Sequence, residues 1–374
     1  MAVVRRGYLP ESVALVLLGL VVGQLAPAAR PLISADLVLL LFVPGLVFDA
    51  AFDLDWPVVR SLLPALTGLA VPGVLVSAAA VAFALHLAAG LPLELAFVVG
   101  AITAATDPVA VVATLTRLEM PHRLRTLVEG ESLLNDGTGL VLVALAVEAV
   151  RHGLVLGQAL GLFAITIAVS VAVGAAAGAA GAALLRRVGH PSLAFTASLA
   201  LAYGTYAAST TVGLSGVLAT VMTAIVLGTS LRRRPTAAAV AHRLDRAWAA
   251  LALVLSALTF LSIGIVIDVP SLGGALVAIA AGLVAILAAR ALIVYVPFAI
   301  VRPAVPVGWA HVLFWSGLRG GITLAAALAL PLGFPDRPRL QEISFGIVLL
   351  TLVVQGATSS SVAKAALRSG RAEA

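Results

Sequence analysis

Long apolar stretches alternate with short polar connectors along the whole chain, and the alternation repeats twelve times. The apolar runs cover approximately residues 9–28, 36–52, 61–88, 93–116, 126–150, 155–185, 191–212, 214–230, 247–267, 271–300, 309–331 and 343–362. Each is close to the roughly 20 residues that an α-helix needs to cross a hydrocarbon core. The longest runs predict tilted helices. The first run, Leu9 to Ala28, is followed by no convincing small-residue cleavage site and reads as a retained anchor rather than a signal peptide. The predicted fold class is an all-α integral membrane protein of about twelve transmembrane helices. The longest polar connector, about 231–246, is expected to be a loop, and the tail after Lys364 is expected to be too short to fold.

Composition supports lipid as the solvent. Of 374 residues, 61% are hydrophobic and 11% charged, against about a quarter charged in soluble chains. The 34 glycines, with abundant alanine, suit helices that approach closely. With no cysteine, the chain has no disulfide, thiolate metal site or thiol nucleophile. A net charge of +6 raises nucleic acid as a partner, but the basic residues are sorted by side. Seventeen of the 23 fall at the ends of runs on the side of the N-terminus, including Arg60, Arg125, Arg186, Arg232, Arg246 and Lys364. Four (Arg30, Arg151, Arg337 and Arg339) fall on the other side, and Arg290 and Arg319 fall inside runs. The positive-inside rule then places both termini in the cytoplasm. The basic balance reports topology, and no nucleic-acid partner is expected.

Ionisable residues at membrane depth are costly and mark functional sites. They are read in four runs. Asp107 lies near the centre of 93–116. Asp136 and Arg319 each lie ten residues into their runs, about 15 Å deep at the helical rise. Arg290 lies about 18 Å from Arg302 by the same measure. Residues distant in sequence therefore converge on one plane. Glu131 and Asn135 share a helical face, as do Ser132 and Asp136. Thr106-Asp107-Pro108 predicts a break, because proline removes a donor and clashes with the preceding turn. Gly317-Leu318-Arg319-Gly320-Gly321 predicts a second break in the other half, the pattern of an inverted-repeat transporter. Three acids against two guanidinium groups leave the site one positive charge short. One cation or one proton repairs that deficit, so the two compete. Carboxylate, hydroxyl and freed carbonyl oxygens suit a hard cation. No nucleophile, metal cluster or nucleotide loop points to an enzyme, and no cofactor is expected.

Other polar residues are given structural readings. Glu129 is placed in the first turn of its helix, favoured there by the helix dipole. Asp53 and Asp55 read as a solvated rim, Glu148, Arg151 and His152 as a solvated outer end, and Asp268 as a span terminus. His311 is assigned no site role. Tyr203, Thr205, Ser209 and Thr210 read as a packing face.

Three motifs carry a resemblance: Ala105-Thr106-Asp107-Pro108-Val109, Glu129-Gly130-Glu131-Ser132-Leu133-Leu134-Asn135-Asp136-Gly137 and Trp315-Ser316-Gly317-Leu318-Arg319-Gly320-Gly321. Over essentially its whole length the chain resembles the NhaP-like bacterial sodium/proton exchangers of the monovalent cation:proton antiporter family. The resemblance implies a core of spans 3–5 and 10–12, within residues 61–150 and 271–362. It implies a dimerisation scaffold of spans 1–2 and 7–9, within 1–60 and 151–267, with span 6 as linker and 363–374 as a short cytoplasmic tail. It implies exchange of Na⁺ or Li⁺ for H⁺ across the cytoplasmic membrane by alternating access in a homodimer, with the Asn135-Asp136 pair marking an electroneutral branch. Asp136 is the implied carrier of proton and Na⁺, with Asn135 beside it. Asp107, Thr106 and Ser132 join it around the ion, and Glu131 acts through water. Arg290 is implied to pair with Glu131, and Arg319 to stabilise the broken eleventh span. Many relatives have a further span before the one starting at Leu9, and the resemblance leaves the dimer surface open on that account; no long tail follows, so tail-based regulation is not expected. A K⁺/H⁺ antiporter with the same site and a passive cation channel are the competing readings.

Overall fold

A computed structural model describes residues 10–107, 120–188, 190–233, 235–301 and 305–372, without the side chains of 191, 235–238, 301 and 369–372. Pro108, Val109, the second half of the expected fourth span, and Arg5, Arg6, Arg117, Arg234 and Arg302 lie outside the described residues, as does the side chain of Arg371.

The described residues form helices. In chain order these are α1 (Glu11–Leu25), α2 (Leu37–Phe52), α3 (Trp56–Ala89), α4 (Leu93–Ala104), α5 (His122–His152), α6 (Leu156–Leu185) and α7 (Pro191–Thr211). There follow α8 (Gly216–Arg232), α9 (Pro235–Val266), α10 (Leu276–Val301), α11 (Gly308–Trp315), α12 (Gly321–Leu328), α13 (Arg337–Leu350) and α14 (Ala357–Ala372). Each of the twelve apolar runs holds helix. Six helical stretches, in α3, α5, α6, α9, α10 and α13–α14, are long and apolar enough to cross a membrane.

Three local expectations are corrected. The connector at 231–246 is helical over most of its length, because α9 starts at Pro235. Proline suits a first helical turn, alanine-rich sequence propagates it, and Ala241, Leu244 and Trp248 bury one face at helical spacing. Trp248 stacks on Phe48 of α2 at 4.4 Å and donates from Nε1 to Ser198 Oγ on α7 at 3.0 Å. The tail is also helical, since α14 continues to Ala372. Finally, α5 begins at His122 rather than near 126, so Glu129 is not in its first turn. It is buried and takes an ion pair from Arg125 one turn earlier, at 2.7 Å.

Buried apolar side chains fall into two clusters. One gathers α4, α5, α10–α14, the second halves of α3 and α9, and single residues from α1 and α6. The other gathers α2, α6–α8, the first halves of α3 and α9, and single residues from α5 and α12. Ion pairs stay within the sides expected from the basic residues. Arg232 meets Asp53 at 3.3 Å and Asp245 at 2.7 Å at one end, and Arg30 meets Asp268 at 3.1 Å at the other.

Glycine sets the approach of α1 to α9. A Cβ on Gly264 would run into the carbonyl oxygen of Val16, and one on Gly19 into that of Leu261. Gly264→Val should therefore lower the thermal midpoint of the detergent-solubilised protein, with an overpacking cost of about 1–3 kcal/mol. Gly204→Ala, where the added methyl meets nothing within 4 Å, should leave it unchanged. Tryptophan fluorescence during heating checks the pair, and equal midpoints would contradict the close helix contact.

Candidate functional site

Two interruptions build the site. Helix α4 stops at Ala104, and Ala105 is already extended at φ −63°, ψ 144°. The cause is local: Asp107 precedes proline, and that position disfavours helical backbone. Helix α11 stops at Trp315, and α12 restarts at Gly321 after Gly320 at φ −147°, ψ −135°. The glycines let the chain approach closely here. A Cβ on Gly320 would occupy the space of the Asp107 carboxylate.

The two breaks satisfy each other. Asp107 N–H donates to Leu318 O at 2.7 Å, and Gly321 N–H donates to Asp107 Oδ2 at 3.2 Å. The carboxylate thus sits at the N-terminus of α12, where unpaired N–H groups favour negative charge. Arg319, 2% exposed, donates from Nε to Thr103 O at 2.9 Å and from Nη1 to Gly317 O. Its charge therefore meets carbonyls that the breaks leave without helical donors. Among the described residues it makes no ion pair.

Helix α5 supplies the polar stripe, all of it buried. Glu131 takes a two-pronged ion pair from Arg290 of α10, Nη1 to Oε1 at 2.7 Å and Nη2 to Oε2 at 3.0 Å. Arg290 Nη2 also donates to Leu313 O on α11 at 2.8 Å. Asn135 joins this pair to the first break. Its Nδ2 donates to Glu131 Oε1 and to Thr106 Oγ1, each at 2.7 Å, and its Oδ1 accepts from Thr106 N–H at 3.1 Å. Ser132 Oγ lies 3.0 Å from Thr106 Oγ1.

Asp136, 4% exposed, lines a cavity with Asp107 and Thr106. The structure therefore brings Asp136, Asp107 and Thr106 to one space, with Ser132 and Asn135 directly behind Thr106. Glu131 and Arg290 are not on the cavity wall, and neither is Arg319. The opposite wall is α2, through Val43, Leu46, Val47 and Ala50.

Sequence reasoning passed over several residues. Thr259 of α9 and Thr323 of α12, both buried, line the cavity. Both lie in membrane runs and could have been found as polar residues at depth. Asp49, half-buried in α2, is a further ionisable residue inside a run. Thr103 contributes through its carbonyl, which no side-chain pattern signals.

Residues 1–365 match the family described as "Sodium/hydrogen exchanger, transmembrane". The chain is 32% identical over 347 residues to the Na⁺/H⁺ antiporter ApNhaP of Aphanothece halophytica, covering 88% of this chain and 64% of that protein. It therefore spans somewhat less than two thirds of that relative. It is 30% identical over 377 residues to the Na⁺/H⁺ antiporter NhaH of Halobacillus dabanensis, covering 95% of this chain and 91% of that one. The structure of the sodium proton antiporter MjNhaP1 from Methanocaldococcus jannaschii at pH 8 is similar in fold, with a TM-score of 0.78 at 17% identity, over 98% of this chain and 94% of that one. On the match to nearly its whole length, this chain belongs to the transmembrane sodium/hydrogen exchanger family.

Proposed function

We propose that the protein is a secondary transporter that exchanges Na⁺ or Li⁺ for H⁺ across the cytoplasmic membrane. Cation and proton compete for Asp136, and the exchange is electroneutral. The observation that carries this reading is the composition of the cavity wall. It holds two carboxylates, Asp136 and Asp107, while the third acid and its arginine are paired outside it. With Glu131 cancelled by Arg290, and Arg319 counted against Asp107 and Asp136, the five charged groups together are one positive charge short. A low-dielectric site resists that imbalance, so a cation or a proton is bound, and not both. The relatives named as Na⁺/H⁺ antiporters support the choice of cation.

The chain traverses the membrane twelve times in this reading, with both termini in the cytoplasm, and works as a homodimer. Spans 3–5 and 10–12 are the moving core, spans 1–2 and 7–9 the scaffold, and span 6 the linker. The cavity wall runs along α2 from Val43 to Ala50, towards the helix end that bears Asp53.

Three outcomes test the proposal. In proteoliposomes with a pH dye, Na⁺ and Li⁺ should move protons, and Asp136→Asn should abolish the signal while the protein still inserts and folds. Persistent exchange in that variant would end the mechanism, and a response to K⁺ alone would replace sodium with potassium. An imposed membrane potential should leave the rate unchanged, as one-for-one exchange moves no net charge; acceleration by potential would rule out electroneutrality. For the buried pair, Glu131→Leu or Arg290→Met alone should cost about 3–5 kcal/mol by stranding a charge. The double variant should recover most of that loss in thermal unfolding. Additive losses would mean that the two groups do not depend on each other.

A further inference from the structure

Seven buried side-chain atoms have no partner among the described residues, and of the residues that bear them Thr323 alone lines the cavity. Several buried threonines elsewhere in this fold donate to the carbonyl four residues back. Thr103 does so to Val99 O, Thr223 to Ala219 O and Thr259 to Leu255 O, each at 2.8 Å. For Thr323 the residue four back is Arg319, which lies in the interruption before α12. Arg319 and the extended Gly320 belong to that interruption, and Thr323 Oγ1 makes no hydrogen bond to either. A buried hydroxyl with no partner carries a desolvation cost, and Thr323 is 1% exposed.

We propose that Thr323 Oγ1 is a ligand of the transported cation, completing a shell with Asp136, Asp107 and Thr106. The assignment rests on the exchange reading above. Its chemistry is selective between the two substrates. A hard cation needs several oxygens at once, and a neutral hydroxyl adds one without altering the charge count. A proton binds one carboxylate oxygen covalently and needs no shell of further oxygens. Thr323 thus tilts the competition at Asp136 towards the cation.

Thr323→Val keeps the shape and removes the oxygen, whereas Thr323→Ser keeps the oxygen. In proteoliposomes, Thr323→Val should raise the apparent KM for Na⁺ about three- to tenfold, the worth of one lost polar contact, with the maximal rate within about twofold. Thr323→Ser should stay within about twofold of the unmodified protein by the same measure. A binding readout without transport accompanies these: Na⁺ should raise the thermal midpoint of the purified protein, and less so for Thr323→Val at equal concentration. Without Na⁺ the valine variant should be at least as heat-stable as the unmodified protein, because an unsatisfied group is gone. Should it fail to insert, Thr323→Ala gives the same comparison. An unchanged KM in the valine variant, or a serine variant as impaired as the valine one, overturns the assignment while leaving exchange intact. An unmodified protein that moves no protons in response to any cation removes the exchange reading itself, and the ligand role with it.

Discussion

A helix broken in the middle of a membrane exposes backbone groups that lipid cannot satisfy, and this protein breaks two of them at one place. The mutual repair of those breaks is what the rest of the structure depends on. Leu318 O accepts from Asp107 N–H, and Gly321 N–H donates back to the Asp107 carboxylate. Arg319 reaches from the second break to the last turn of α4 at Thr103 O. Neither break could stand alone, since each unsatisfied group in hydrocarbon costs several kcal/mol. The crossing therefore fixes α4 against α11 and α12 before any ion is considered. It also explains why a glycine occupies position 320: a side chain there would displace the carboxylate that caps α12.

The charges around the crossing are divided by function. Glu131 and Arg290 neutralise each other away from the cavity, and Arg290 also binds α11 through Leu313 O. Asn135 passes that anchoring on to Thr106, so the backbone of the first break is held from α5. Asn135 spends its amide on Glu131 and Thr106, which leaves Asp136 as the member of the α5 stripe that faces the open space. An aspartate in place of Asn135 would have no donor for Glu131 or for Thr106 Oγ1. The identity of that residue is thus coupled to the pairing two helices away.

Much of this was legible in the sequence because lipid makes charge placement strict. The positions of Asp107, Glu131, Asp136, Arg290 and Arg319 followed from depth alone, and the breaks followed from Pro108 and from the glycines around Arg319. The helical state of 235–246 was missed because polarity was taken as a loop signal, although alanine, leucine and tryptophan there recur at helical spacing. Glu129 was misplaced by a helix that starts four residues earlier than its apolar part. Partition within the charge set was not legible. Three acids and two arginines give a total, but which acid is cancelled depends on which helices become neighbours, and α5 and α10 are joined by residues 159 apart. The resemblance to a known family, rather than the residue pattern, suggested that pairing.

The apolar wall opposite the site completes the argument. Val43, Leu46, Val47 and Ala50 of α2 face Asp107 and Asp136 across the cavity and offer no donor or acceptor from their side chains. A polar wall would form hydrogen bonds to the carboxylates, and those would have to break whenever the two surfaces shifted. An apolar wall makes no such bonds, so movement of one buried cluster past the other exchanges dispersion contacts for similar ones. It also gives the carboxylates no substitute partner when the cation leaves. The charge must then be met by a proton or by another cation before the site can pass the wall, because an uncompensated carboxylate against valine and leucine is costly. In the proposed mechanism, the pairing of a charge-deficient site with a wall that cannot solvate it is what makes the exchange obligatory.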